Sequence, residues 1–189
     1  DGRLITKTIA FKEKVRFDSL TQTDLLEYQP NKFGIEYLCG LIKNWADLHT
    51  LKNSEKKIFI SLANYPNKDS RIANGVGLDT PSSVINLINK FKKKDYFIKD
   101  FPKSSHKLMK QLIAGQTNNL NKKISMDIKS IKIKDYKKFY NKLSKKVRDE
   151  VEERWGPVEN DPFVKNGLLL LPIQNFGNIS IGIKPSRGY

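Results

Sequence analysis

At 189 residues, with 38% hydrophobic and 29% charged residues, the chain fits one ordinary domain or two small ones and excludes a disordered tail. The single cysteine, Cys39, excludes an intramolecular disulfide and points to a reducing, cytoplasmic compartment; with only two distant histidines it also excludes a Cys/His zinc site. A net charge of +15 raises a nucleic-acid partner, yet 29 of the 35 cations are Lys and only six Arg, beside 16 Asn, 19 Ile and five Ala, a usage that follows A/T-rich codons, so most of the charge reads as solvated lysine.

In chain order, residues 3–11 read as a strand rich in β-branched residues, followed by a polar, turn-prone stretch through Lys32. From Phe33 to Leu48, the helical spacing of Ile35, Leu38, Cys39, Ile42, Trp45 and Ala46 predicts a helix that buries this stripe, with Cys39 and Trp45 as core residues and His49 at the helix end. The run Ile58-Phe59-Ile60-Ser61-Leu62-Ala63 is almost continuously apolar, as expected of a strand buried on both faces of a parallel sheet. A long loop leads to Asp79 or Thr80 as N-cap of a helix with Pro81 in its first turn, an inward stripe of Val84, Ile85, Ile88 and Phe91, and Leu87 flanking it. Tyr96-Phe97-Ile98 is then the closing strand of a βαβ unit.

A further helix is expected over 105–115, capped by Ser104 or Ser105, with Leu108, Met109, Leu112 and Ile113 inward and His106 exposed. Residues 118–134 leave the choice of element open. Two helices, or one bent helix, follow over 135–143 and 145–155, ended by Gly156-Pro157, with Trp155 packed at the stop and Lys145/Asp149 and Lys146/Glu150 as surface ion pairs. Leu168–Leu171, a turn region at 174–178 and the alternating Ile179, Ile181 and Ile183 predict a C-terminal β-hairpin. The longest apolar run, those four leucines, is too short to cross a bilayer. The fold class expected is α/β, a parallel-sheet βαβ core with flanking helices and that hairpin. One portion of a larger chain is expected over 1–189, divisible into an opening strand and helix (1–50), the βαβ unit (57–115), and helices with hairpin (116–189). Because the chain starts at Asp1-Gly2 and stops at Arg187-Gly188-Tyr189, it is expected to be an internal piece of something longer.

No nucleophile elbow, Walker loop or full dinucleotide fingerprint is present; Asn74-Gly75-Val76-Gly77 is neither of the latter two. What remains is the loop 64–79, which leaves the carboxyl end of a predicted strand, the ligand-facing edge of an open α/β sheet. Arg71 offers a bidentate fork for a carboxylate, and Gly75 and Gly77 allow close backbone approach just before a helix N-terminus. The competing interpretation is a long turn in which Arg71 pairs with Asp69 or Asp79.

The stretch SLANYPNKDSRIANGVGLDTPSSVINLI closely resembles a signature segment of cobaltochelatase large subunits, in the family that unites CobN with its magnesium chelatase counterparts. DGRLITKTIAFKE, Gly115-Gln116-Thr117-Asn118, RWGPVENDPF and FGNISIGIKPSRGY resemble family segments in the family order, so the likeness runs over essentially the whole chain. NYPNKDSRIANGVGLDTP is similar to the cobalt branch rather than the magnesium branch. The resemblance implies an ATP-dependent ligase complex that inserts Co²⁺ into hydrogenobyrinic acid a,c-diamide, a corrin, in cobalamin biosynthesis. The large subunit then binds the tetrapyrrole while separate motor subunits hydrolyse ATP, so this piece holds no cofactor of its own and no metal ligand. Its catalytic His and Glu are expected in a His-Gly…Leu-Glu segment downstream of Tyr189, leaving this piece inactive by itself. Ligand-facing positions implied are Arg71, Asn74, Gly75 and Gly77, with Asn118, Asn178, Arg187 and Tyr189 from the other matching segments. The alternatives are a magnesium chelatase H-type subunit binding protoporphyrin IX and, from another class, a basic nucleic-acid-binding module.

Overall fold

In the computed structural model, which describes residues 6–121 and 128–186, the chain divides into Asp1–Lys52 and Asn53–Tyr189. The first unit is an antiparallel hairpin, β1 (Ala10–Asp18) and β2 (Thr23–Pro30), followed by helix α1 (Lys32–Thr50). β1 overlaps the strand predicted over 3–11 only at Ala10 and Phe11, and the rest of the hairpin lies in the stretch predicted to be turn-prone; part of the predicted strand falls outside the described residues. Alternation is weak here because polar and apolar residues mix on both faces, and a register shift between Lys14 and Arg16 breaks the period further. Asn31 caps α1, accepting from the Gly34 amide at 3.3 Å while its Nδ2 donates to the Thr8 carbonyl at 3.2 Å. The predicted helix is present, but its apolar stripe is not buried. Gly34 is the only buried residue of α1, Cys39 is exposed and Trp45 is 52% exposed. A two-stranded hairpin has too little apolar surface to cover a 19-residue helix face.

The second unit is organised by a three-stranded sheet in the order β3 (Ile58–Leu62), β8 (Ile179–Ile183), β7 (Ile173–Phe176). β3 runs parallel to β8, pairing Ile60 with Ile181, and β7 and β8 form an antiparallel hairpin. Two helices, α2 (Thr80–Lys92) and α3 (Ser105–Ala114), supply the rest of the core. Ile88, Leu108, Leu112, Ile179 and Ile181 are fully buried. Side chains of this class each contribute about 1.5–3 kcal/mol on burial. Phe101 and Phe176 meet edge to face with centroids 4.7 Å apart.

Mixed α/β architecture and the C-terminal hairpin match the fold class read from sequence. Three details differ. The parallel partner of β3 is β8, more than a hundred residues on, rather than Tyr96-Phe97-Ile98. That segment forms no strand; it is tied to the hairpin turn by the Asn178 amide donating to the Phe97 carbonyl at 2.9 Å and by Lys99 to Phe176 at 3.3 Å. Nor is β3 covered on both faces: it is an edge strand, and Phe59 on its outer face is 57% exposed, its ring lying over Gly182. Finally, Leu168–Leu171 does not pair with the isoleucine strand. β6 (Leu168–Leu170) joins β4 (Ser130–Lys132) and β5 (Val164–Lys165) in a separate sheet, and the hairpin turn is Gly177-Asn178. Between β4 and β5 lie α4 (Ile133–Tyr140) and α5 (Lys145–Trp155), stopped by Gly156 as expected, although Trp155 stays half exposed under the Arg154 guanidinium.

Candidate functional site

Loop 64–79 follows the carboxyl end of β3, as the sequence predicts, and is more structured than a plain connection. Asn64 bridges antiparallel to Ile72, the Ala73 amide donates to the Ala63 carbonyl at 2.7 Å, and a 3₁₀ turn at Asp69–Arg71 folds the excursion back. Arg71 is exposed and makes no ion pair among the described residues, so the pairing with Asp69 or Asp79 considered from sequence is not formed. Asn74 is exposed; Gly75 to Leu78 is a tight turn closed at 3.3 Å, with Gly77 at φ +72°.

The helix end behind this turn already carries an anion. Asp79 is the N-cap of α2, its Oδ1 accepting from the Ser82 amide at 3.0 Å, and that backbone hydrogen bond holds the carboxyl below the usual range. The positive end of α2 is thereby answered from within the chain.

At the sheet edge the carboxyl ends of β3 and β8 lie side by side, and the Lys184 amide continues the pairing to the Leu62 carbonyl at 2.8 Å. A cleft of about 60 Å³ opens there, lined by Asn64, Tyr65, Asn67, Lys184 and Pro185. Asn64 is only 3% exposed, and neither its Oδ1 nor its Nδ2 has a partner. Lys184 is exposed and unpaired with any carboxylate among the described residues. Pro185 also lines a second cleft, about 190 Å³, together with Phe163, Leu169, Leu170, Pro172, Thr117 and Asn118. Polar recognition and apolar contact thus share the Lys184-Pro185 ridge.

Asn118 and Asn178, drawn from family-matching segments, are both engaged with backbone. Asn118 Nδ2 donates to the Lys184 carbonyl at 2.9 Å and its Oδ1 accepts from the Ser186 amide at 3.2 Å, so it fixes the ridge. Asn178 Nδ2 donates to the Ser54 carbonyl at 2.8 Å, anchoring the hairpin turn well away in sequence from the loop. Arg187 and Tyr189 lie outside the described residues. Sequence reasoning missed Asn64 and Lys184. Each is the first or second residue past a strand's carboxyl end, a signal that becomes usable only once β8 is recognised as the parallel partner of β3.

Elsewhere the charges serve the surface. Lys145–Asp149 and Lys146–Glu150 pair at 2.6 and 3.9 Å along α5, Lys43–Asp47 at 2.5 Å along α1, and Lys137 pairs with Glu159. Hydrogen bonds from Lys138 and Lys137 lower the Asp135 and Glu159 carboxyls. Among the described residues there is no group of three or more His, Cys, Asp or Glu placed to hold a metal ion, and no helix long and apolar enough to cross a membrane.

A family model described as CobN/Magnesium Chelatase matches residues 1–189. The chain is 35% identical over 190 residues to the aerobic cobaltochelatase subunit CobN of a Sinorhizobium species, covering 100% of this chain and 15% of that protein. Its identity to the CobN subunit of Pseudomonas aeruginosa is 32% over 193 residues, again 100% of this chain and 15% of the relative. The H-type magnesium-chelatase subunit of Chlorobaculum parvum is 28% identical over 162 residues, 82% of this chain and 12% of that one. Among solved structures, the catalytic subunit of cobaltochelatase from Mycobacterium tuberculosis superposes with a TM-score of 0.78 at 25% identity, over 99% of this chain and 15% of that chain. The chain therefore spans about a seventh of the length of these relatives.

Proposed function

The chain belongs to the CobN/magnesium chelatase family, and from that premise we propose that it is a portion of the large, tetrapyrrole-binding subunit of an ATP-dependent cobaltochelatase. In this reading Co²⁺ is a substrate, the ring that receives it is hydrogenobyrinic acid a,c-diamide, and ATP is hydrolysed by separate motor subunits, all in the cytoplasm during cobalamin biosynthesis. The part played by this chain is to present one wall of the tetrapyrrole site.

The observation that carries the proposal is the carboxyl edge of β3 and β8. Buried Asn64, exposed Lys184 and an apolar cleft of about 190 Å³ share the Lys184-Pro185 ridge there. A tetrapyrrole has the same division: an apolar macrocycle with polar carboxylate or carboxamide arms at its rim. Lys184 supplies a donor and a compensating charge for such an arm, and exposed Arg71 supplies a bidentate fork on the preceding loop. Leucine and phenylalanine faces contribute by excluding water from the ring edge. Cobalt is favoured over magnesium because identity is higher and coverage complete for the CobN relatives, against 28% over 82% of the chain for the magnesium-chelatase subunit.

Equilibrium binding of hydrogenobyrinic acid a,c-diamide and of protoporphyrin IX to the full-length protein tests this. Tighter binding of the corrin is expected. A clear preference for protoporphyrin transfers the assignment to the magnesium branch, and binding of neither overturns the tetrapyrrole reading. Affinity for RNA that falls steeply with salt, with no tetrapyrrole bound, supports the nucleic-acid alternative.

A further inference from the structure

We infer that Asn64 is a specificity residue that reads a primary carboxamide on the ligand, an inference that rests on the tetrapyrrole reading above. Asn64 leaves both halves of its amide, a two-hydrogen donor and an acceptor, buried at the wall of the 60 Å³ cleft with no partner among the described residues. Each unsatisfied atom of such a group carries an uncompensated desolvation penalty, and water-excluded polar atoms are rarely left this way without a purpose. The neighbours do not relieve it. Lys184 is a donor and competes with Nδ2 for acceptors, and Pro185 has neither donor nor free acceptor on its ring.

The missing partner must donate and accept side by side. A carboxylate satisfies Nδ2 but sets oxygen against Oδ1, leaving that atom orphaned or repelled. A primary carboxamide satisfies both: its C=O accepts from Nδ2 and its N–H donates to Oδ1, the paired arrangement that two amides make with each other. Its oxygen keeps a second lone pair for the Lys184 ammonium. Asn64 lines the cleft, and the Lys184 side chain on the same cleft is exposed and can move aside to admit the arm. A volume of about 60 Å³ suits one such arm, not a ring.

The test compares hydrogenobyrinic acid, which carries carboxylates at the relevant positions, with its a,c-diamide on the full-length protein and on Asn64→Leu. Leucine is close in size and removes two orphaned polar atoms, so the variant is expected to melt no lower than the parent. Asn64→Leu is expected to weaken the diamide about tenfold or more while weakening the acid by several-fold less, compressing the ratio of the two affinities. Equal loss for both ligands, or no loss for either, overturns the inference while leaving tetrapyrrole binding intact; the second result points to a segment of the parent chain filling the cleft. Failure of the unsubstituted protein to bind either ligand overturns the tetrapyrrole reading together with this one.

Discussion

Asn118 and Lys184, 66 positions apart, are joined by a hydrogen bond of 2.9 Å from the Asn118 side-chain amide to the Lys184 main-chain carbonyl. The same side chain accepts from Ser186, so one residue after α3 fixes the exit of β8 and with it the ridge between the two clefts. Replacing Asn118 by Ala removes both bonds and is expected to cost about 1–2 kcal/mol. Asn118→Asp retains the acceptor but sets a carboxylate oxygen against the Lys184 carbonyl, and is expected to cost at least as much. Urea midpoints of the three proteins check this; an Asp variant as stable as the parent would show that the bond to Lys184 contributes nothing.

Gly77 and Gly177 have almost the same backbone, φ +72° and +71°, and different surroundings. A Cβ on Gly77 meets nothing within 4 Å, whereas on Gly177 it falls 2.8 Å from the Phe97 carbonyl oxygen. Gly77→Ala is therefore expected to cost only the left-handed conformation, about 1–2 kcal/mol. For Gly177→Ala the same strain adds to a backbone collision, giving about 3 kcal/mol or more. Thermal melts of the pair separate conformational strain from lack of space. Equal losses would mean that Phe97 yields without cost.

Arg71 is exposed and has no ion pair among the described residues, which leaves its guanidinium open to a ligand. Arg71→Ala is expected to leave the denaturation midpoint within about 0.5 kcal/mol of the parent and to weaken corrin binding by the full-length protein about tenfold. Arg71→Lys keeps the charge without the planar fork and is expected to recover part of the affinity. A large stability loss with unchanged affinity would show a structural role instead.

The sequence exposes its local devices more clearly than its long-range ones. The cap of α2, expected at Asp79 or Thr80 and found at Asp79, Pro81 in the first turn, and the Val84/Ile88 and Leu108/Leu112 stripes are set by 3.6-residue spacing and capping chemistry. The partner of β3 is not written locally: the nearest apolar run, Tyr96-Phe97-Ile98, forms no strand and is only tied to a turn, and the true partner is β8. That one pairing hides the candidate site, since Asn64 and Lys184 come together only when the two strand ends do. The helix stripe of Ile35, Ile42 and Trp45 shows the converse error, because amphipathic spacing says which face wants cover and not whether this portion of chain supplies it.

The Asp79 cap provides a pH-dependent readout of α2. Its carboxyl is lowered in the fold, chiefly by the Ser82 amide, relative to about 3.9 in the unfolded chain. A lowered folded value means that the group stabilises the fold fully above the unfolded value and loses that contribution as pH falls through the folded one. Asp79→Asn preserves the cap geometry, since Asn caps as well as Asp, but carries no charge to titrate and none to meet the helix dipole. The parent is therefore expected to be the more stable protein at neutral pH. Its advantage should shrink as the pH is taken below about 4, where the carboxylate becomes protonated. All other titrating groups are common to both proteins, so the difference between their urea midpoints isolates Asp79. Stability curves that stay parallel from neutral pH into acid would show that the carboxylate gains nothing at the head of α2.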